Sequence, residues 1–244
     1  MHTPLQRPSV SNGGVDHNAS RSRPPRRARR ITLLSLAILG MASAAFLVRG
    51  PLMMSAPRCL AGRWHGCFDT FNGVVLMTLV TLPLAALVVW ALARRRLAAG
   101  VTSAWQMSLA EVGMVHGTVP FVWMVLMPGS GAGIVPARLS LVPLRDLFEM
   151  GLLGIVGNLL VFAALGFFAP MRFAALATVP RILALAAGCS VLIETAQYAL
   201  QLDRVSSVDD VLLNAAGAVP AALASRPWWR IKPESLSDQL HPAG

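Results

Sequence analysis

The chain is predicted to be an all-α, polytopic transmembrane helical bundle of about six spans, with a disordered basic N-terminal tail. Two observations predict this fold and a third excludes its rival. Of the 244 residues, 55% are hydrophobic and only 13% are charged, whereas a soluble domain carries roughly 25% charged residues to wet its surface. The apolar residues gather in long runs, and a bilayer core of ~30 Å needs about 20 helical residues per crossing. The alternating pattern of a membrane β-barrel is absent, so no sheet is expected, and no internal repeat is visible.

The elements follow in order. Residues 1–30 are polar, rich in Ser, Pro and Arg, and end in Arg26-Arg27-Ala28-Arg29-Arg30. Such a segment buries too little apolar area to order itself and reads as a cytoplasmic tail. Ile31 to Val48 is the first apolar run. Ala42-Ser43-Ala44 resembles a signal-peptide cleavage site, but the long basic stretch ahead and the five apolar runs behind favour an uncleaved helix. The second run is Gly73 to Ala93, with Pro83 near its middle, and the third is Leu109 to Met127. After the Gly-rich turn Pro128-Gly129-Ser130-Gly131, the fourth runs from Gly151 to Ala169. The fifth spans Ile182 to Leu200. The sixth, Val211 to Ser225, is short, with Trp228 and Trp229 placed to anchor its end at an interface.

The organisation expected is therefore a tail (1–30), an N-terminal membrane region (31–127), a second membrane region (139–226) and a cytoplasmic tail (227–244). The +10 net charge is almost all arginine, with Lys232 the only lysine. These arginines lie between apolar runs rather than along one face, which suits anionic lipid and argues against nucleic acid. With six spans, Arg26 to Arg30, Arg94-Arg95-Arg96, Arg172 with Arg181, and Arg226, Arg230 and Lys232 fall on one side. Arg49, Arg58, Arg63, Arg138 and Arg145 weaken the contrast, but positive-inside logic still puts both termini in the cytoplasm. Cys59 and Cys67 then share an outer loop, and the sequence leaves open whether they form a disulfide or stay free thiols. No metal-ligand spacing and no cofactor motif is present.

Polar residues inside the apolar runs each need a reason, because the membrane interior penalises them. Ser190, Glu194, Gln197 and Gln201 are spaced to form one stripe on the fifth helix. Asp210, Asn214 and Gly217 repeat the pattern on the sixth, and Gly151, Gly154 and Asn158 form a small-and-polar seam on the fourth. Three helices with such seams are expected to pack with the seams inward. Ser206 or Ser207 is placed to cap the sixth helix, and Arg145, Glu194, Arg204, Asp209 and Asp210 are expected to cluster toward the outer face. Glu111 is expected at an interface and His116 in a hydrogen bond between helices. The stripes fit either a bundle adhesive of paired charges or a binding or catalytic pocket.

These same residues carry a resemblance. Leu141-Val142-Pro143-Leu144-Arg145, Gly157-Asn158-Leu159-Leu160-Val161-Phe162-Ala163-Ala164-Leu165-Gly166, the Ser-x-x-x-Glu-x-x-Gln pattern of Ser190 to Gln197, and Asp210-Val211-Leu212-Leu213-Asn214-Ala215-Ala216-Gly217 resemble motifs of the VanZ-like family, in the family's order. Ala164 stands where the family often has proline, and Ser207 where an aspartate is common. The resemblance covers roughly residues 139–226 and implies a bacterial plasma-membrane protein with a cell-envelope role. The family's named member is linked to low-level resistance to the glycopeptide teicoplanin, through an activity that is not established. The expected ligand-binding cluster is Arg145, Asn158, Glu194, Gln197, Arg204, Asp210 and Asn214. Its expected partners are membrane lipid and a lipid-linked envelope precursor or amphiphilic antibiotic. The alternatives are an intramembrane enzyme using Glu194 and Asp210 as acid and base, and a small transporter or channel subunit.

Overall fold

The computed structural model describes residues 48–229, together with residues 35, 38–43 and 45–46 ahead of them. The expected tail of residues 1–30, residues 31–34, 36, 37, 44 and 47 of the first apolar run, and Arg230 with the remainder of the C-terminal tail lie outside the described residues. The described residues from Val48 onward form one compact unit.

Among the described residues, five helical stretches are long and apolar enough to cross a membrane: Ile38–Leu60, Phe71–Ala98, Ala104–Val125, Leu152–Arg172 and Val179–Ala199. A shorter helix of 17 residues, Val208–Ala224, follows them, as the short sixth run predicts. In the membrane unit the helices are α1 (Ala56–Leu60), α2 (Phe71–Ala98), α3 (Ala104–Val125), α4 (Leu152–Val161), α5 (Ala163–Arg172), α6 (Val179–Ala199) and α7 (Val208–Ala224). The fourth predicted run is thus two helices, broken at Phe162, whose backbone leaves helical geometry (φ −111°, ψ 15°). Helix α2 starts where the Thr70 side chain accepts the Gly73 N–H, 3.1 Å away, and it continues through Pro83. Only 11% of the apolar windows of α2 and α3 is buried within the protein, so the rest of those faces need lipid.

Helix α7 sits at the centre, packed against α4, α5 and α6, while α3 packs on α5 and α2 on α3. The shared core is mostly small and aliphatic, with one aromatic ring: Val161, Phe162, Ala169, Ile182, Ala186, Ile193, Ala215, Ala218 and Ala222. Two glycines set the closest approach. A Cβ on Gly217 would lie 1.8 Å from the Leu159 carbonyl oxygen, and one on Gly166 would lie 2.2 Å from the Ala218 oxygen. Backbones this close gain dispersion contact that larger side chains would forbid. The expected Gly151–Gly154 seam is not part of it. Gly151 has open space where its Cβ would be, and Gly154 meets only the Met150 side chain. The seam was misplaced because periodicity locates a helix face but not the neighbour that covers it.

One feature departs from the sheet-free expectation. Strand β1 (Arg138–Ser140) pairs in parallel with β2 (Val205–Ser207), aligning Leu139 with Ser206. Both lie in connections at one end of the bundle, where extended backbone still needs hydrogen-bond partners. The Gly-rich turn prepares this pairing. Gly129 and Gly133 donate to the carbonyls of Leu202 (2.9 Å) and Gln201 (3.0 Å), and Gly131 donates to Asp203 Oδ2 at 2.9 Å.

Gly217→Ala should destabilise the bundle by about 2 kcal/mol or more, since the clash is with backbone that cannot rotate away. Gly157→Ala, which meets open space, should be near neutral. Thermal unfolding in detergent compares the two, and equal midpoints would exclude the close α4–α7 crossing.

Candidate functional site

The site lies at the end of the bundle that holds the β-pair. Here α6 ends, α7 begins, α3 ends and the connection before α4 returns. Ser207 caps α7: its Oγ accepts the Asp209 N–H at 3.1 Å, and its own N–H donates to Glu194 Oε2 at 3.0 Å. Ser206 Oγ donates to the Glu194 carbonyl at 2.9 Å. The two serines therefore fasten β2 to the last turns of α6.

Asp209 is 1% exposed. Its carboxylate accepts three backbone N–H groups, from Leu144 (2.5 Å), Asp146 (2.9 Å) and Leu147 (3.0 Å). Leu144 is held at φ 66°, in the left-handed region, a conformation that disfavours non-glycine residues by about 1–3 kcal/mol. Asp146 accepts the Ser207 hydroxyl at 2.6 Å. The hydroxyls of Ser140 and Ser207 hold its carboxyl below the ordinary aspartate range. Asp209 thus ties the 144–147 loop to the start of α7, and it does not join the charged cluster expected for it. Arg145, on the same loop, is exposed and stands apart from the cavity.

Behind this clamp is a polar cavity of about 290 Å³. Asn158 of α4, Glu194 and Gln197 of α6, Arg204 of the turn, and Asp210 and Asn214 of α7 all line it. The structure therefore brings together six of the seven residues of the expected cluster, leaving out Arg145. Gln201 is excluded for a local reason: α6 has ended and Gln201 turns at φ 49° into an exposed position.

Within the cavity Asn158 Nδ2 donates to Asp210 Oδ1 at 2.5 Å, and Asn214 Nδ2 donates to Ser190 Oγ at 2.8 Å. Gln197 Nε2 donates to the Val125 carbonyl at 2.8 Å, and Arg204 Nε donates to the Met127 carbonyl at 3.2 Å. Both of these fasten the C-terminal end of α3. Sequence reasoning missed Arg138 and Asp203, which also line the space and face each other at 3.8 Å. The adjacency of Asp203 to Arg204 was a weak signal for one of them. Arg138 reaches the site only through the strand pairing. Among the described residues no group of His, Cys, Asp and Glu has the arrangement of a metal site.

Two further clusters frame the site. At the opposite end of the bundle Glu111 accepts from Arg96 and Arg172, and Arg96 also donates to Ser108 at 2.8 Å. This joins α2, α3 and α5 through one carboxylate. At the cavity end Cys59 and Cys67 form a disulfide, and the Trp123 indole of α3 donates to the Phe68 carbonyl at 2.9 Å. His116 does not make the interhelical hydrogen bond expected of it, since its Nε2 is buried without a partner beside an apolar groove. Among the described residues no polar group hydrogen-bonds to that nitrogen.

Several long apolar helices around a small polar cavity define the class, a multi-pass membrane protein. The family model described as VanZ/LLP1 matches residues 74–229, well over half of the chain, and the chain belongs to that family. The match extends beyond the motif-bearing stretch 139–226 to take in α2 and α3, and α3 supplies the carbonyls that hold Gln197 and Arg204. No curated protein and no solved structure matches the chain.

Asp209→Asn removes one acceptor oxygen and turns an amide N–H toward backbone donors. It should cost about 3 kcal/mol and speed amide exchange at Leu144, Asp146 and Leu147. Arg145→Ala, on an exposed side chain, should stay within about 0.5 kcal/mol of the parent. Unchanged exchange in the Asp209 variant would remove its role as the clamp.

Proposed function

We propose that the protein is a cell-envelope component of a bacterial plasma membrane, and that it binds the polar head of an amphiphile in this cavity. The ligand class is a lipid-linked envelope precursor or an amphiphilic antibiotic. The observation that carries this reading is a polar space of about 290 Å³ inside helices whose outer faces are apolar. That is near the lower size of small-ligand pockets, ~300 Å³.

A place for the apolar part of such a ligand lies alongside. A groove of about 330 Å³ runs between α2, α3 and α4, lined by Val75, Leu79, Pro120, Phe121, Leu153 and Val156 among others. Met124 and Gly157 face the groove, and their chain neighbours Val125 and Asn158 face the polar cavity. The two spaces thus flank the same stretches of α3 and α4. A hydrocarbon chain in the groove and a head group in the cavity suit one amphiphilic molecule. Two carboxylates in one cavity also favour a second reading, acid–base chemistry on the bound lipid by Glu194 and Asp210.

The cavity is assigned to the outer face for two reasons. It shares its end of the bundle with the Cys59–Cys67 disulfide, a bond that persists in oxidising compartments. With six spans, Arg26, Arg27, Arg29, Arg30, Arg94, Arg95, Arg96, Arg172, Arg181, Arg226, Arg230 and Lys232 fall toward the other end, against Arg49, Arg58, Arg63, Arg138, Arg145 and Arg204 toward this one, and an excess of basic residues marks a cytoplasmic end. In intact cells, a membrane-impermeant reductant followed by an impermeant maleimide should label Cys59 and Cys67. Labelling only after permeabilisation would reverse the orientation.

Native mass spectrometry of protein released from lipid tests the binding itself. The parent should retain an amphiphile, and Glu194→Gln and Asp210→Asn should retain at least about tenfold less. Equal retention in all three leaves these side chains as bundle adhesive only. Conversion of the bound lipid that is lost in Glu194→Gln would select the enzymatic reading.

A further inference from the structure

The hydrogen-bonding inventory of the cavity is unbalanced, and the imbalance has a sign. Gln197 donates its Nε2 to the Val125 carbonyl, 2.8 Å away. A carbonyl only accepts, so the amide cannot be turned over, and Oε1 is fixed as the free atom. That oxygen is buried without a partner, on a residue 5% exposed. Asn214, 2% exposed, meets Ser190 Oγ with one end of its amide and has the other end buried and unpartnered; a hydroxyl both donates and accepts, so this contact does not fix which end is free. Two carboxylates stand beside these amides. Glu194 accepts the Ser207 N–H, and Asp210 accepts one Asn158 N–H.

The two arginines of the cavity are engaged elsewhere. Arg138 faces Asp203 at 3.8 Å. Arg204 donates to the carbonyls of Met127 (3.2 Å) and Met124 (3.5 Å), at the negative end of the α3 dipole. Among the described residues neither arginine forms an ion pair with Glu194 or Asp210. By formal charge the lining carries Glu194, Asp203 and Asp210 against Arg138 and Arg204, one negative charge in excess, and Gln197 Oε1 is a buried acceptor without a donor. Buried acceptors of this kind call for a donor-bearing partner.

We propose that the head group taken by this cavity is a primary ammonium. This rests on the cavity being an amphiphile-binding site, as argued above, and it names the chemistry recognised there. An –NH₃⁺ group brings three donors, no acceptor and one positive charge. It answers the free oxygen of Gln197 and the spare lone pairs of Glu194 and Asp210 together. A phosphate brings only acceptors and negative charge. A quaternary ammonium has the charge but no N–H, and among the described residues no aromatic ring lines the cavity to hold it by its π face. A neutral sugar head satisfies hydrogen bonds and leaves the carboxylates without a counter-charge.

Three probes with the same chain separate these chemistries: hexadecylammonium, hexadecyltrimethylammonium and hexadecyl phosphate. Each is added to the full-length protein in phosphatidylcholine nanodiscs, and retention is read by native mass spectrometry after release. Hexadecylammonium should be retained at least about tenfold more than either of the others. Gln197→Met and Asp210→Asn should each bring that ratio toward unity. The comparison within the parent protein stands even if a variant fails to fold. Equal or greater retention of the phosphate or the trimethylated probe overturns the ammonium assignment and leaves amphiphile binding intact. Failure to retain any probe, with no co-purifying amphiphile, defeats the ammonium assignment and the binding site together.

Discussion

The carboxylate of Asp209 is the interaction on which the architecture of the site depends. A buried negative charge in an apolar bundle is tolerated only when it is fully solvated by the protein, and three backbone N–H groups of the 144–147 loop do this. The consequence is mechanical. The loop that leads into α4 is fixed to the first turn of α7, Leu144 is kept in a left-handed conformation, and Asp146 is brought to Ser207. Ser207 in turn caps α7 and reaches Glu194. One side chain thus sets the spacing between α4, α6 and α7 where the cavity is formed.

The helices below that clamp approach closely because their contact surfaces are small. Gly217 against Leu159 and Gly166 against Ala218 leave no room for a Cβ, and alanines fill most of the shared core. In lipid there is little hydrophobic gain from helix association, so close backbone contact and hydrogen bonds must supply it. The cavity persists inside this tight packing because Asn158, Glu194, Gln197, Asp210 and Asn214 hold polar groups that cannot collapse onto aliphatic neighbours without losing partners.

The two ends of the bundle are chemically unlike. One gathers Glu111 between Arg96 and Arg172, so that each carboxylate oxygen is paired with a guanidinium. The other gathers Glu194 and Asp210 with the free amide oxygen of Gln197, and among the described residues no arginine forms an ion pair with either carboxylate. The first arrangement completes itself and needs no ligand. The second is incomplete, and this contrast separates an adhesive from a candidate site within one protein.

Much of this was legible in the sequence. Long apolar runs of low charge dictate membrane helices, because hydrocarbon leaves the backbone no other way to satisfy itself. Polar residues spaced at helical intervals on consecutive runs dictate that Ser190, Glu194, Gln197, Asp210 and Asn214 share an interior. Other features depend on contacts between segments far apart in the chain, which periodicity does not record. The mispredicted seam of Gly151 and Gly154, the separation of Asp209 from Asp210, the exposure of Arg145, and the arrival of Arg138 and Asp203 in the cavity are all of this kind. Periodicity assigns each residue to a face of its own helix. Which backbone N–H groups a carboxylate meets, and which glycine touches a neighbour, was decided only when the loop after α3 paired with the turn before α7 and the helices closed around α7.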